Sequence, residues 1–247
     1  MNSSRAPVLV NITIPVYNEE KILPTSVATL HDFLTKHARF AWDIVIANNA
    51  STDTTRAIAE ELVRRYERVR AIHLEKKGRG RALKAVWIGS DADIVSYMDV
   101  DLSTNLYAFP PMIEALISGG FDIGIGSRLL KATTTRRSLK REFISRCYNL
   151  LVKFFFRTHF SDAQCGFKAV TREAGRVLFP FLEDTGWFFD TELLVVAEKL
   201  GFRIFDLPVS WIEDLDSRVK IVPTAVDDIK GLLRVRKNFR KGLYRRG

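Results

Sequence analysis

A regular alternation of short apolar runs with helical patterns across the first half constrains this chain most. "VLVNITIP" (8–15), "AWDIVIAN" (41–48), "VRAIHLE" (69–75), "ADIVSYM" (92–98) and "FDIGIGSR" (121–128) read as strands. Between them, "EEKILPTSVATLHDFLTKH", "STDTTRAIAEELVRRYE" and "GRGRALKAVWIGS" carry helical periods, the second opening on polar capping residues. Strands separated by helices of this length form βαβ units with right-handed crossovers. The pattern predicts an α/β fold with a mainly parallel sheet flanked by helices. In such sheets ligands bind beyond the carboxyl ends of the strands. That rule gathers Pro15 to Glu19, Asn48 to Asp53, Asp99 to Asp101 and Ser127–Arg128 on one rim.

The second half is less regular. A basic, aromatic-rich helix over about 139–157 precedes the loop "HFSDAQCGFKAV". A helix follows in "GWFFDTELLVVAEKLG", then two short strands in "FRIFDLPVSW". No linker rich in Gly, Pro or Ser divides the halves, and no internal repeat is found, so a single domain is expected.

The fourth strand ends in "SYMDVDLSTN" (96–105). Side chains alternate along a strand, so Asp99 and Asp101 share one face. Two carboxylates held so close repel unless a cation or a water-filled cleft accommodates them. A divalent metal with hard oxygen ligands is one reading, and a solvated turn with Asp101 as a cap is the other.

The net charge of +9 is unevenly placed. Residues 128–157 hold nine Lys or Arg against the single acid Glu142, and residues 231–247 hold seven basic residues and no acid. Without those two segments the remainder is acidic. Concentrated basic charge points to an anionic partner: nucleic acid, acidic lipid or a phosphorylated substrate. Only Cys147 and Cys165 occur, so no disulfide framework is implied. No apolar run approaches the roughly 20 residues a membrane span needs, and the N-terminus lacks a signal-peptide core. The expectation is a cytoplasmic chain that does not span the membrane.

Taken in order, "VNITIPVYNEE", "IVIANNASTDTT", "KKGRGRALKAVWIGSDADIVSYMDVDLS", "GSR", "SDAQCGFKAV", "GWFFDTELL" and "LPVSW" resemble one family. The family is the inverting glycosyltransferases of the dolichyl-phosphate glucose and mannose synthase type, glycosyltransferase family 2. The resemblance covers roughly residues 8–215 and implies a GT-A (Rossmann-like) fold. It divides the domain into a nucleotide-sugar and metal-binding half (1–127), an acceptor half (128–230) and a basic C-terminal tail (231–247).

By this resemblance Asp99 and Asp101 hold Mg²⁺ or Mn²⁺, and Ser103 stands where some relatives have a Gln. A metal on the diphosphate offsets the charge that develops as the nucleotide leaves. Pro15, Tyr17 and Glu19 match contacts to base and ribose. Asn48 and Asn49 replace the usual two aspartates, and Asp53 is retained, either in the donor site or as a helix cap. Arg79, between Gly78 and Gly80, is implied to face the donor phosphates.

On the acceptor side the resemblance assigns Arg128, Asp162, Gln164 and Lys168, with Ser217 and Arg218 closing from the C-terminal side. Arg136 and Arg137 lie in a loop that folds over donor and acceptor in relatives. Asp190 and Glu192 would serve as general base if the acceptor were a sugar hydroxyl. Asp101, Arg128, Asp162 and Lys168 are the implied catalytic set.

The implied reaction moves a hexose from a nucleotide-sugar, UDP-glucose first and GDP-mannose next, to a polyprenyl or dolichyl phosphate. The implied location is peripheral on the cytoplasmic membrane face. Docking on an anionic surface would use the 139–157 segment, whose "LLVKFFF" suits an interfacial helix or a core helix, together with the tail. A same-fold transferase acting on a glycan, glycolipid or small-molecule hydroxyl is the alternative. A non-enzymatic membrane or nucleic-acid binding module is more remote, and no nucleic acid is expected as partner.

Overall fold

The computed structural model describes residues 7–130, 135–136, 139–212 and 221–245. In the first half the chain runs β1 (Leu9–Val16), α1 (Leu23–His37), β2 (Ala41–Asn49), α2 (Thr55–Arg65), β3 (Val69–Leu74), α3 (Arg79–Ile88), β4 (Ile94–Met98), α4 (Phe109–Ile117) and β5 (Ile123–Ser127). The second half adds β6 (Thr135–Arg136), α5 (Leu139–Phe156), β7 (Phe167–Thr171), α6 (Arg172–Leu178), α7 (Phe189–Lys199), β8 (Ile204–Pro208), β9 (Trp211–Ile212) and α8 (Ile221–Arg240).

Seven strands form one sheet in the order β3-β2-β1-β4-β7-β5-β8. Pairing is parallel except at β7, which runs antiparallel between β4 and β5. The chain reverses direction between β3 and β4, since β4 joins the other side of β1. That reversal opens the rim crevice where β1 and β4 end.

Both faces of the sheet are covered, which is why its strands read as continuous apolar runs. On β2, Ile44 and Ile46 point into the layer under α1, α2 and α4, while Val45 and Ala47 point toward α3 and α7. The period of two decides which layer each residue enters. Buried polar residues on β1 are satisfied rather than exposed. Asn11 donates to Asp43 (3.0 Å), Thr13 donates to Asn11 (3.0 Å), and the Trp87 indole donates to Thr13 (3.2 Å).

Three features depart from the sequence reading. The "GFKAV" run is not loop throughout: Phe167 to Thr171 form β7. A further helix, α4, lies between β4 and β5. Residues 231–240 are not a tail but the second half of α8, which buries Leu232, Val235 and Asn238.

The basic helix predicted near 139–157 is α5. It buries Asn149, Val152 and Phe156 and leaves Phe143, Leu150 and Phe154 outside at 70%, 68% and 80% exposure. Those three lie seven and four residues apart, on one line of the helix. On α8, Val226, Ile229 and Leu233 form a similar exposed line. The two helices pack together, with Phe156 and Phe239 at 6.2 Å between ring centroids. Among the described residues no helix is long and apolar enough to cross a membrane.

Candidate active site

The carboxyl ends of β1, β2, β4 and β5 converge as the rim rule requires. Asp99 follows β4 directly and its backbone N–H donates to the Gly166 carbonyl at 3.2 Å. A Cβ on Gly166 would lie 1.8 Å from Asp99 Oδ2, so only glycine leaves room for that carboxylate. Asp101 Oδ1 accepts from the Ser103 N–H (3.0 Å), an Asx turn just beyond the end of β4. The Ser103 carbonyl accepts from Ile212, which ties β9 to this turn.

Arg79 opens α3 and reaches across to Asp99, with Nη2 to Oδ1 at 2.7 Å. Its Nε lies 3.7 Å from Asp190 Oδ2. The guanidinium lies between two rings, 5.0 Å from Tyr97 and 4.8 Å from Trp187. Burial alone would lower the Arg79 pKa, but Asp99, Tyr97 and Asp190 raise it, so it remains a cation. Asn49 Oδ1 accepts the Gly78 N–H at 2.6 Å and fixes the approach to this helix. Gly78 itself has φ +159, and a Cβ there would meet the Thr185 carbonyl at 2.5 Å.

The β1 end supplies the other wall. Lys77 Nζ lies 3.4 Å above the Tyr17 ring. Pro15 pairs in register with Ala47, and the Glu19 N–H donates to Thr55 at 2.8 Å. Asn48 is buried. Its amide meets His73 at 3.1 Å and its Oδ1 accepts from Ser51, so it shapes the wall rather than presenting a free amide. Asp53 accepts from the Thr55 N–H at 3.0 Å in the turn before α2; the N-cap position itself is Thr54, so Asp53 braces the entry to the helix rather than capping it. Burial opposes its ionisation, but the Thr55 hydrogen bonds prevail and its pKa is lowered.

On the β5 side Asp162 is fully buried. It takes three hydrogen bonds from Arg128: the backbone N–H at 3.1 Å, Nε at 2.8 Å and Nη2 at 3.1 Å. Burial raises the Asp162 pKa, yet the fork from Arg128 outweighs it and the carboxyl stays ionised. Arg128 also lies 5.4 Å from the Trp211 ring. Gln164 donates to Asp228 on α8 at 3.2 Å, which joins the acceptor loop to the last helix.

Three assignments need correction. Lys168 does not face a ligand: its side chain is fully buried, with Nζ 2.5 Å from the Cys165 carbonyl and 3.1 Å from Asp190. Asp190 is also buried, bonded to the Tyr97 hydroxyl as well as to Lys168 and Arg79. Glu192 is buried too, accepting from the Asp184 N–H at 2.7 Å and from Arg234 at 2.9 Å. Neither acid is placed as an open base. Arg136 lies in β6, paired with Ile212. Arg137, Ser217 and Arg218 lie outside the described residues.

Sequence reasoning missed Tyr97, Trp187 and Asp228. Tyr97 was accessible from period two, since it precedes Asp99 by two residues at the end of β4; the alternation stops at Met98, and Asp101 lies in the turn beyond the strand. Asp228 and Trp187 carry no local signal, because their placement depends on α8 and on the loop before α7.

Among the described residues no group of three or more His, Cys, Asp or Glu is placed to hold a metal. Asp99, 36% exposed at the end of β4, and Asp101, in the turn after it, are the carboxylates that could hold a divalent cation of the Mg²⁺ kind, which takes one or two carboxylates and completes its shell with substrate phosphates and water.

Residues 11–179 match the sequence profile of Glycosyl transferase family 2. Glycosyltransferase AglD of Haloferax volcanii is 36% identical over 225 residues, which are 89% of this chain but 36% of AglD. The dolichyl-phosphate beta-glucosyltransferase ALG5C of Trichomonas vaginalis is 31% identical over 255 residues, 98% of this chain and 74% of that protein. Among solved structures, glucosyl-3-phosphoglycerate synthase of Mycobacterium tuberculosis with Mn²⁺, UDP-glucose and phosphoglyceric acid superposes with a TM-score of 0.68. Its identity is 17%, covering 94% of this chain and 80% of that one. At that identity the likeness shows the GT-A fold alone. The profile match over most of the chain, the relatives and the rim of acidic and basic residues agree: the chain is a glycosyltransferase and belongs to glycosyl transferase family 2.

Proposed function

We propose that the chain transfers glucose from UDP-glucose to a polyprenyl or dolichyl phosphate, with inversion at the anomeric carbon. One observation carries the choice of acceptor. The carboxylates beside the donor site that would serve a hydroxyl as base are already engaged: Asp162 by Arg128, Asp190 by Lys168 and Arg79, Glu192 by Arg234. A phosphate oxygen is ionised near neutral pH and needs no base. It attacks C1, the bond from C1 to the diphosphate oxygen breaks, and UDP leaves with the electron pair. The names of relatives such as ALG5C support this acceptor. GDP-mannose is the second donor in order.

In this reading the Arg79 guanidinium would meet the donor diphosphate, and Asp99, its ion-pair partner, would be one of the carboxylates that hold a cation. Mg²⁺ or Mn²⁺, held by Asp99 and Asp101, would supply charge for the departing diphosphate. Neighbouring structures of the same fold hold Mn²⁺ or Mg²⁺ with UDP. Arg128, held in direction by Asp162 at the end of β5, is the cation on this side of the rim that would meet the acceptor phosphate. The exposed apolar lines of α5 and α8, beside Arg146, Lys153, Arg236 and Lys237, would rest on anionic lipid on the cytoplasmic side. The deciding assay follows sugar transfer from labelled UDP-glucose to a short polyprenyl phosphate, with the matching polyprenol as control. Equal use of the alcohol would reject the phosphate acceptor.

A second reading has one observation in its favour. Burial, then Asp184 and Asp227, push the Asp228 carboxyl up to about 7. Its Oδ1 is buried without a hydrogen-bond partner. Such a group suits a general base for a hydroxyl acceptor.

A further inference from the structure

Trp187 occupies an unusual position for a tryptophan. It is 48% exposed, while Phe188 and Phe189, which follow it, are buried in the core. Trp42 and Trp87 are also buried, and Trp211 is half-buried. A large exposed indole adds nothing to core packing, so its placement calls for a local cause.

The backbone around it is firmly built. Asp184 Oδ1 accepts the Gly186 N–H at 2.7 Å, and the Asp184 N–H donates to Glu192 at 2.7 Å. Gly80 and Arg81, in the first turn of α3, donate to the carbonyls of Gly186 and Thr185, each at 3.2 Å. A Cβ on Gly80 would come within 2.7 Å of Phe189, so loop and helix touch without a gap. These contacts hold the indole 4.8 Å from the Arg79 guanidinium, whose other partner is Asp99.

A nucleotide-sugar whose diphosphate lies against Arg79 and Asp99 carries its hexose one bond beyond the second phosphate. The indole is within that reach. A hexopyranose has an apolar face of C–H groups, and a rigid half-exposed aromatic ring offers it a flat apolar partner at little cost in side-chain freedom. We propose that Trp187 is the platform for the donor hexose and so a determinant of which sugar is used. The inference rests on the nucleotide-sugar reading of the site.

The test uses the full chain. Trp187→Ala is expected to raise the donor KM about tenfold, the scale of truncating one anchoring aromatic. The inhibition constant of UDP alone should change by less than about twofold. Trp187→Phe should recover most of the loss. If KM and the UDP constant rise together, the indole only steadies Arg79, and the proposal falls. If the acceptor KM alone moves, the ring meets lipid, and the proposal also falls. Tryptophan fluorescence separates this from failure of the transfer reading. UDP-glucose or GDP-mannose should quench the wild type beyond UDP or GDP alone, and Trp187→Phe should lose the excess. Should neither nucleotide-sugar be turned over, the transfer reading fails while this excess still decides the platform; its absence with both sugars overturns it.

Discussion

Arg79 Nη2 and Asp99 Oδ1 stand 2.7 Å apart, so the cation implied for the diphosphate and a carboxylate implied for the metal neutralise each other. Asp99 keeps 36% of its side chain exposed, against 12% for Arg79. The carboxylate is therefore the member of the pair that an incoming cation reaches. The ion pair keeps the Asp99 carboxylate compensated at the end of β4.

Asp101 follows in the turn beyond β4, where its Oδ1 accepts the Ser103 N–H. Asp101→Ala is expected to remove nearly all turnover while leaving the unfolding temperature almost unchanged. Chelation of divalent ions should do the same to the wild type, with recovery on adding Mn²⁺ or Mg²⁺. Full activity in excess EDTA, with residual metal verified as negligible, would end the metal assignment.

Asp162 and Arg128 form an enclosed ion pair on the rim, with 0% and 13% of their side chains exposed. Removing one member of a buried pair leaves the other without compensation, at about 3–5 kcal/mol. Asp162→Ala should cost stability on that scale in urea unfolding, and activity with it. The pH dependence has a definite sign. The folded-state pKa of Asp162 is lowered, so its contribution is complete above the unfolded carboxylate pKa and is lost as pH falls below it, through the folded value. A variant that unfolds in acid like the wild type would show that the pair contributes nothing.

Lys168 was implied to grip the acceptor phosphate, and its burial changes the expected result. Lys168→Met removes the cation that balances Asp190 in the interior, so it should lower global stability by about 3–5 kcal/mol. The acceptor KM of the remaining folded enzyme should stay within about twofold. A stable variant with a selectively raised acceptor KM would restore the phosphate-binding role.

These outcomes mark what the sequence makes legible. β1, β2, β4 and β5 are readable because both faces of those strands are buried, which leaves apolar runs between helices, and β3, half-buried at the sheet edge, because helical patterns flank it in sequence. β7 is not, since its run includes Lys168 and its partners β4 and β5 are remote in sequence. In α8 the basic residues obscured an apolar spacing through Leu232, Val235 and Phe239. Asp99 and Arg128 follow β4 and β5 directly, where the rim rule expects them, and Arg79 opens α3 beside Asp99. Whether Asp190, Glu192 and Lys168 meet solvent depends on helices packed over them, which spacing cannot report.

The exposed line on α5 offers a direct test of membrane docking. Phe143, Leu150 and Phe154 would each leave water on contact with lipid, and the neighbouring Arg146 and Lys153 would meet headgroups. Co-sedimentation with acidic vesicles at low salt is expected, weakening as salt screens the exposed charge. Leu150→Glu with Phe154→Glu should abolish it without altering transfer to a short, detergent-dispersed acceptor. Equal binding to neutral and acidic vesicles would show that the basic charge serves another partner.

Asp228 separates the two acceptor readings. Burial first, then Asp184, Asp227 and Asp190, push its carboxyl from 3.8 up to about 7, against the hydrogen bond from Gln164. The folded state thus binds a proton that the unfolded state releases, so stability declines between about pH 4 and pH 7 and levels off above. Asp228→Asn cannot ionise and still offers Gln164 an amide oxygen. It should remove that decline and gain on the order of 2 kcal/mol at pH 8, measured as the shift in urea midpoint. If the acceptor is a phosphate, transfer at pH 8 should stay within a few-fold of wild type, because no side chain takes a proton during attack. If Asp228 serves a hydroxyl acceptor as base, the same variant should lose about 10²–10⁴-fold in rate. A stabilised but inactive Asp228→Asn would therefore displace the phosphate reading, whereas a stabilised and active one would leave Asp228 as a purely structural acid.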